Sequence, residues 1–330
     1  MTSTKKKGFF TLPVNLFILV VILSALYCGY WFVMSGVILK GANEWVDEQR
    51  TIGRTVSYSD MKVTGFPYRF VLDVEEPAIY APDLRARWEA ETLQLIAMSW
   101  NLKHIIARSP GENTFELPNG QTLVASAAPS SAASFVLEDG NLRRIGIEAT
   151  ELIAQIDHYS TLTAGLFSLG LRPMPEAENN LQAALSFENL TLPAEIPDAE
   201  FLGQEITELV LWAEIENFYP LVETDLTFTE WKLEQNHIKL ERGDLDMGPL
   251  DLSMRANVVL DRENDPDGTV SVYLERSEDL IAAIEEAGAM TPGLRTGIAA
   301  IALTSRNGGV MTVQVKDRQI RLLGQTLAEY

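Results

Sequence analysis

The acidic turn from Asp261 to Thr269, DRENDPDGT, holds the side chains best suited to chemistry in this chain of 330 residues. Glu263, Asp265 and Asp267-Gly268 echo the start of a calcium loop, in which alternate carboxylates supply oxygen ligands to a hard cation. Such a loop needs a bidentate Glu at its twelfth position. Counted from Glu263 that position is Leu274, and Pro266 interrupts the backbone between them. Asp and Gly between two apolar runs read more simply as a hairpin turn. The pair Asp157 and His158 could join a catalytic arrangement, but a lone histidine is far more often structural. His104, His158 and His237 have no ligand-like spacing. GLFSLG, Gly165 to Gly170, lacks the spacing of a nucleophile elbow. No Walker loop, HExxH or CxxC occurs, and Cys28, the one cysteine, permits no internal disulfide. The residues therefore predict no catalytic, cofactor-binding or metal site, and a chain that is not an enzyme.

Charge bounds the partners. Asp and Glu number 46 against 26 Lys and Arg, a formal charge of −20. All the acidic residues lie after Lys40, so residues 41–330 hold 22 basic side chains against 46 acidic ones, or −24. Nucleic acid, which is bound through clustered Lys and Arg, is excluded. The same surface is expected to repel anionic lipid headgroups.

From Leu12 to Leu39 run 28 residues without a charge. At ~1.5 Å per residue a helix of that length exceeds the ~30 Å hydrocarbon core of a bilayer. Lys5, Lys6 and Lys7 precede the run and acidic sequence follows, which places the N-terminus in the cytoplasm. A cleaved signal peptide would have an apolar core of ~7–15 residues closed by a small-x-small site. Here the run continues through the bulky YCGYWFVM, so an uncleaved anchor is expected, with Tyr27, Tyr30 and Trp31 at the interface. The chain divides into a cytoplasmic N-terminus (1–11), a transmembrane helix (12–39), a juxtamembrane helix (40–55) and a β-rich domain (56–330) beyond the membrane.

That domain is patterned with period two. Tyr68, Phe70, Leu72 and Val74 alternate with Arg69, Val71 and Asp73, as in a half-buried strand. Gly65 permits a bend, and Pro67 limits Phe66 to extended geometry. Gly65-Phe66-Pro67 is thus a strand corner, and Phe66, Tyr68, Phe70, Leu72 and Val74 are the expected apolar groove or core face. The pattern recurs over residues 88–100, over 115–126 with its Asn119-Gly120 hairpin signal, and over 135–149 with a turn at Asp139-Gly140. It continues through Leu181, Ala183, Leu185 and Phe187, then Leu209, Leu211, Ala213 and Ile215, and over 231–243, 249–261, 268–276 and a last hairpin at 311–323. Helical spacing returns after Ser277, an N-cap followed by Glu278 and Asp279 in the first turn. Gly288 and Pro292 divide that segment into two short helices. The fold class is mainly β (α+β): a transmembrane helix, then a curved, largely antiparallel β-sheet with a short helical insertion near the C-terminus.

Two stretches carry a family resemblance. GFPYRFVLDVEEP, Gly65 to Pro77, resembles the Gly-Phe-Pro signature of a proteobacterial envelope family catalogued as domain of unknown function 2125. Residues 230–270 resemble its tryptophan strand, Gly-Pro-Leu corner and Pro-x-Gly turn, here Trp231, Gly248-Pro249-Leu250, Asp261 and Pro266-Asp267-Gly268. The resemblance implies a single-pass protein of the bacterial inner membrane with its bulk in the periplasm, and supplies no catalytic residues. A remoter similarity to AsmA-like envelope proteins implies a curved sheet whose groove guides lipid. The expected function is therefore binding or guiding a lipid or other apolar ligand. The alternative is a non-catalytic structural or interaction subunit with envelope proteins as partners. Patterning alone leaves open whether the sheet interior is a groove or a filled core.

Overall fold

The computed structural model describes residues 11–330 except 139, 158, 196–201, 225, 307–308, 323–324 and 330. Helix α1, Thr11–Thr51, carries the apolar run unbroken into the charged stretch after it, so residues 40–51 continue the same helix and start no second one. Arg50 in its last turn suits the negative end of the helix dipole, and Gly53 at φ 87° turns the chain away.

Twenty strands follow among the described residues, all in one antiparallel sheet. They are β1 (Thr55–Ser57), β2 (Asp60–Thr64), β3 (Arg69–Glu75), β4 (Ala78–Ala81), β5 (Ala86–Ala90), β6 (Thr92–Met98), β7 (Asn101–Arg108), β8 (Asn113–Glu116), β9 (Thr122–Ser126) and β10 (Ala132–Glu138). The longer strands come next: β11 (Asn141–Ile156), β12 (Leu162–Met174), β13 (Ala177–Thr191), β14 (Glu205–Ile215), β15 (Ile238–Met247), β16 (Leu250–Leu260) and β17 (Pro266–Leu274). β18 (Met311–Lys316), β19 (Gln319–Leu322) and β20 (Gln325–Glu329) close the chain. Two ladders, β2–β3–β6–β7–β10 and β1–β4–β5–β8–β9, both join β11. β10 pairs along its first half and β9 along its second. From β11 the strands meander in chain order to β20, as short turns dictate. Helices α2 (Phe218–Glu223) and α3 (Phe228–Leu233) join β14 to β15, while α4 (Ser277–Glu286) and α5 (Pro292–Arg306) join β17 to β18.

Turn chemistry acts where the residues announce it. Gly120 sits at φ 86° and donates to Leu117 O at 2.8 Å, closing the β8–β9 hairpin. In the acidic turn the Asp261 carboxylate accepts from the backbone of Glu263 (2.9 Å) and Asp265 (2.8 Å), and Lys232 Nζ donates to Asn264 Oδ1. This is the β16–β17 hairpin, tied by its own side chains. The expected strand over 231–243 begins only at Ile238. The Thr227 hydroxyl accepts from Glu230 N at 3.2 Å and the Glu230 carboxylate accepts from Thr227 N at 2.9 Å, a capping box that turns the first residues into α3. Ser277 is likewise the first buried residue of α4 and not its cap, which falls on Arg276. Of the Asp139-Gly140 turn, Asp139 lies outside the described residues; Gly140 has φ 86°.

Glu151 and Asn189 both sit at φ 51°, and the ladders skip pairs beside them without losing register, from Thr150↔Leu166 to Leu152↔Ala164 and from Leu166↔Glu188 to Thr163↔Thr191. Between β14 and β15 the register itself shifts, at Ile206/Glu208 and again at Trp212/Ala213. Such bulges bend a strand and add local twist.

Candidate functional site

Side chains of paired residues in an antiparallel ladder share one face. Followed across the sheet, one row of partners runs Val63–Leu72–Leu95–Ala107–Ala133–Ile147. It continues Leu169–Leu185–Leu211–Gly243–Met254–Val272–Met311. Thirteen strands contribute, and no side chain in the row is polar. A second row, from Phe70, Ala97 and Ile105 to Ala256, Val270 and Val313, is equally apolar. A third, Phe167–Phe187–Leu209–Leu245–Leu252–Leu274, flanks the first from β12 to β17. One residue along the strands from β11 to β16 the character changes: Glu148, Ser168, Ser186, Asp244 and Ser253 point to the other face, with the buried Val210 among them, whereas β3, β6 and β7 present Val71, Ile96 and Ile106 there.

Among the described residues no second sheet covers this apolar face, and helices pack on its margins alone. Between Leu95 and Met311 the first row is half-buried throughout, Gly243 alone being buried. A filled core would bury such side chains completely. The total accessible surface of 20793 Å² far exceeds the about 13,500 Å² of a compact monomer of 36.6 kDa. The uncovered turns of α1 and the half-exposed face of the sheet both contribute to that excess. Where the two N-terminal ladders diverge, a cavity of about 360 Å³ opens over Leu93, Ala107, Phe115, Ala133, Ile147 and Phe167. A larger depression of about 640 Å³ reaches the opposite face, over Gly146, Gly170 and Ala184 and beside Arg144, Arg172 and Trp212. Small residues floor that dish and Arg144, Arg172, Glu214 and Glu241 interrupt its apolar lining, so the continuous apolar trough is the better candidate.

Helices close the ends of the trough. α1 lies on Phe70: Trp31 stacks on that ring with centroids 5.4 Å apart, and Tyr30 meets it edge-on at 6.5 Å. Leu280, Ile284 and Ile298 of α4 and α5 cap Leu274 at the other end. Phe218 and Val222 of α2 line a cleft with Ile145, Leu171 and Leu181 along one side.

The five residues expected on one face are separated. Phe70, Leu72 and Val74 are buried in β3. Phe66 and Tyr68 lie outside the strand, in the corner, and are 49% and 68% exposed. Gly65 at φ 97° sends the chain into a hairpin, so β3 and its alternation start only at Arg69. Phe66 stacks instead on Phe32 of α1, with centroids 5.8 Å apart. Two contributors were not evident from the chain. β12 carries the alternation Phe167, Leu169, Leu171, interrupted in the sequence by Gly165 and Gly170. Ser99 gave no signal at all. It is 4% exposed, its hydroxyl lies 2.7 Å from the Tyr27 hydroxyl, and its carbonyl accepts from Tyr30 at 2.8 Å.

Titrating groups with altered affinity for protons lie off the trough. Burial raises the Asp244 carboxyl, but bonds from Arg242 and Ser253 on the polar face outweigh it and hold the group below its usual range. Burial likewise opposes ionisation of Glu216, yet Lys239 and the His237 amide hold it low. His104 pairs with Ser134 and His237 with Asn257, at 2.8 and 2.6 Å. Asp157 accepts from Thr122 N at 2.7 Å, and His158 lies outside the described residues. Among the described residues no three His, Cys, Asp or Glu side chains gather as metal ligands would.

A family model described as "Uncharacterized protein conserved in bacteria", domain of unknown function 2125, matches residues 31–322. No curated protein and no solved structure matches the chain.

Proposed function

The chain belongs to the bacterial family with domain of unknown function 2125, and we propose that it is a membrane-anchored envelope protein that holds or guides the acyl chain of a lipid. The observation that carries this reading is the unbroken apolar row across thirteen strands, only partly buried at all of them but Leu72 and Gly243. Apolar surface gains about 25 cal/mol per Å² on leaving water, so an uncovered trough favours an apolar occupant without needing charged ligands. At ~4.8 Å between strands its twelve steps extend ~58 Å. A lipid tail spans half of the ~30 Å hydrocarbon core, so several could lie in file.

Lys5, Lys6 and Lys7 ahead of the span support an N-terminus in the cytoplasm, with the β-domain in the periplasm beside the inner membrane. An uncleaved anchor is favoured because Tyr27, Tyr30 and Trp31, late in the apolar run, bond to the domain itself. The proposed role is binding and not catalysis. It rests on the trough rather than on the AsmA-like analogy. Native mass spectrometry of the full chain, gently solubilised from membranes, tests it. Adducts of phospholipid mass are expected. A chain that is consistently empty, or that carries stoichiometric protein and no lipid, contradicts lipid binding, and the second outcome favours an interaction subunit.

A further inference from the structure

We propose that the Gly65–Tyr68 corner and the Ser99–Trp100 tip insert into the lipid interface of the bilayer that α1 spans, seating the start of the trough in the membrane surface. The proposal rests on α1 as a membrane span and is independent of what the trough carries.

Depth is fixed from two directions. Twenty residues of helix cover the ~30 Å hydrocarbon core at ~1.5 Å each; counted from Leu12, these end at Trp31. Independently, the large apolar side chains from Val14 to Leu26 are all at least 50% exposed, and packing against the domain begins at Tyr27. The residues that mark the boundary are those that hold the two tips. Tyr27 donates to Pro67 O at 2.6 Å, Tyr30 donates to Ser99 O at 2.8 Å, and Ser99 N donates to Tyr68 O at 3.1 Å. The tips therefore share the depth of Tyr27 to Trp31.

What they present there suits lipid. Trp100 is 70% exposed and Tyr68 68%, with Phe66 and Met98 beside them. Trp and Tyr favour the headgroup boundary, where one end of the ring is wet. The charge also reverses locally. In this acidic chain no Asp or Glu occurs between Asp60 and Asp73 or between Glu91 and Glu112, while Arg69 and Lys103 stand beside the two tips. The expected repulsion of anionic headgroups thus fails at the one edge held against them. Phe70 and Ala97, the first pair of the second apolar row, lie one residue inside the tips, so the trough starts at the interface.

The test uses full-length protein carrying Cys28→Ser in vesicles of phosphatidylethanolamine and phosphatidylglycerol. A nitroxide is placed in turn at Tyr68→Cys, Trp100→Cys and Leu84→Cys. Leu84 is the aqueous reference, in the turn that Arg54 holds through Asp83 at 2.8 Å beyond the far end of α1. Relaxation by oxygen is expected to exceed relaxation by a water-soluble nickel chelate at 68 and 100, with the reverse at 84. Aqueous exposure at either 68 or 100, in protein that resists alkaline extraction, overturns the proposal. Extraction by alkali overturns the span itself and the proposal with it.

Discussion

The Trp31 ring lies stacked on Phe70, centroids 5.4 Å apart and planes 19° apart, while its Nε1 donates to Arg69 O at 3.1 Å. The apolar helix is therefore packed on β3 of the apolar face and is part of the fold that follows it. Trp31→Ala should lower stability by about 3–5 kcal/mol, as for other buried aromatic truncations. Trp31→Phe, losing mainly the hydrogen bond, should cost about 1 kcal/mol. Thermal unfolding in detergent, with hydrogen exchange followed in β3, measures both; an unchanged midpoint for the alanine variant would show the helix to be a passive tether.

The two faces of β13 make a paired test. Leu185 faces the trough and Ser186, its neighbour, faces away with Ser168 and Val210. Leu185→Arg is expected to reduce lipid recovered with the purified protein several-fold, and Ser186→Arg to leave it unchanged. Equal recovery from both variants would detach lipid binding from the trough.

Gly65 is held at φ 97°, and an added Cβ would meet Arg69 O at 2.8 Å. Gly65→Ala should therefore cost about 1–3 kcal/mol, the usual penalty for a side chain forced into that backbone region. Gly53, also at positive φ but with nothing within 4 Å, should tolerate alanine better. Chemical denaturation compares them, and equal losses would mean the close approach at the corner is relieved cheaply.

Glu216 accepts from Lys239 Nζ at 2.6 Å, and its carbonyl accepts from Trp231 of α3 at 2.8 Å. Its carboxyl sits below the usual 4.5, so its stabilising contribution is complete above that pH and is lost as pH falls through the depressed value. Lys239 is raised above 10.5 by its bond to Glu216, so its contribution is complete below 10.5 and is lost as pH rises through the raised value. Glu216→Gln should cost toward the lower end of about 1.5–3 kcal/mol at neutral pH, since the two side chains remain 27% and 30% exposed. It should also flatten the acid limb of a plot of melting temperature against pH; an acid limb identical to that of the parent would remove Glu216 from the account.

Local patterns in the chain were legible and long-range ones were not. Leu181, Ala183, Leu185 and Phe187 declare their shared face by period two, as do Leu209, Leu211 and Ala213, and the two sets meet in register. That Leu185 and Leu211 belong to one row with Leu72 and Met311 depends on pairing between distant strands, which no single stretch encodes. Tyr68 misled because alternation does not reveal where a strand begins; the backbone of Gly65 decides that. Thr227 and Glu230 carried a readable capping signal that the apolar alternation of Trp231 and Leu233 obscured. The late part of the apolar run packs on the sheet through Tyr27, Tyr30 and Trp31, which its composition alone did not reveal. Ser99 acquires its role only when β6 and β7 dock against Tyr27 and Tyr30.

Photochemical labelling in native membranes tests the lipid trough most directly. A photoreactive phenylalanine analogue would replace Leu169 or Leu211 on the apolar face, and Ser168 or Ser186 on the other. The account predicts phospholipid adducts at 169 and 211 and none at 168 and 186. Absence of lipid at both trough positions in folded, membrane-bound protein, or equal labelling at all four, would contradict it.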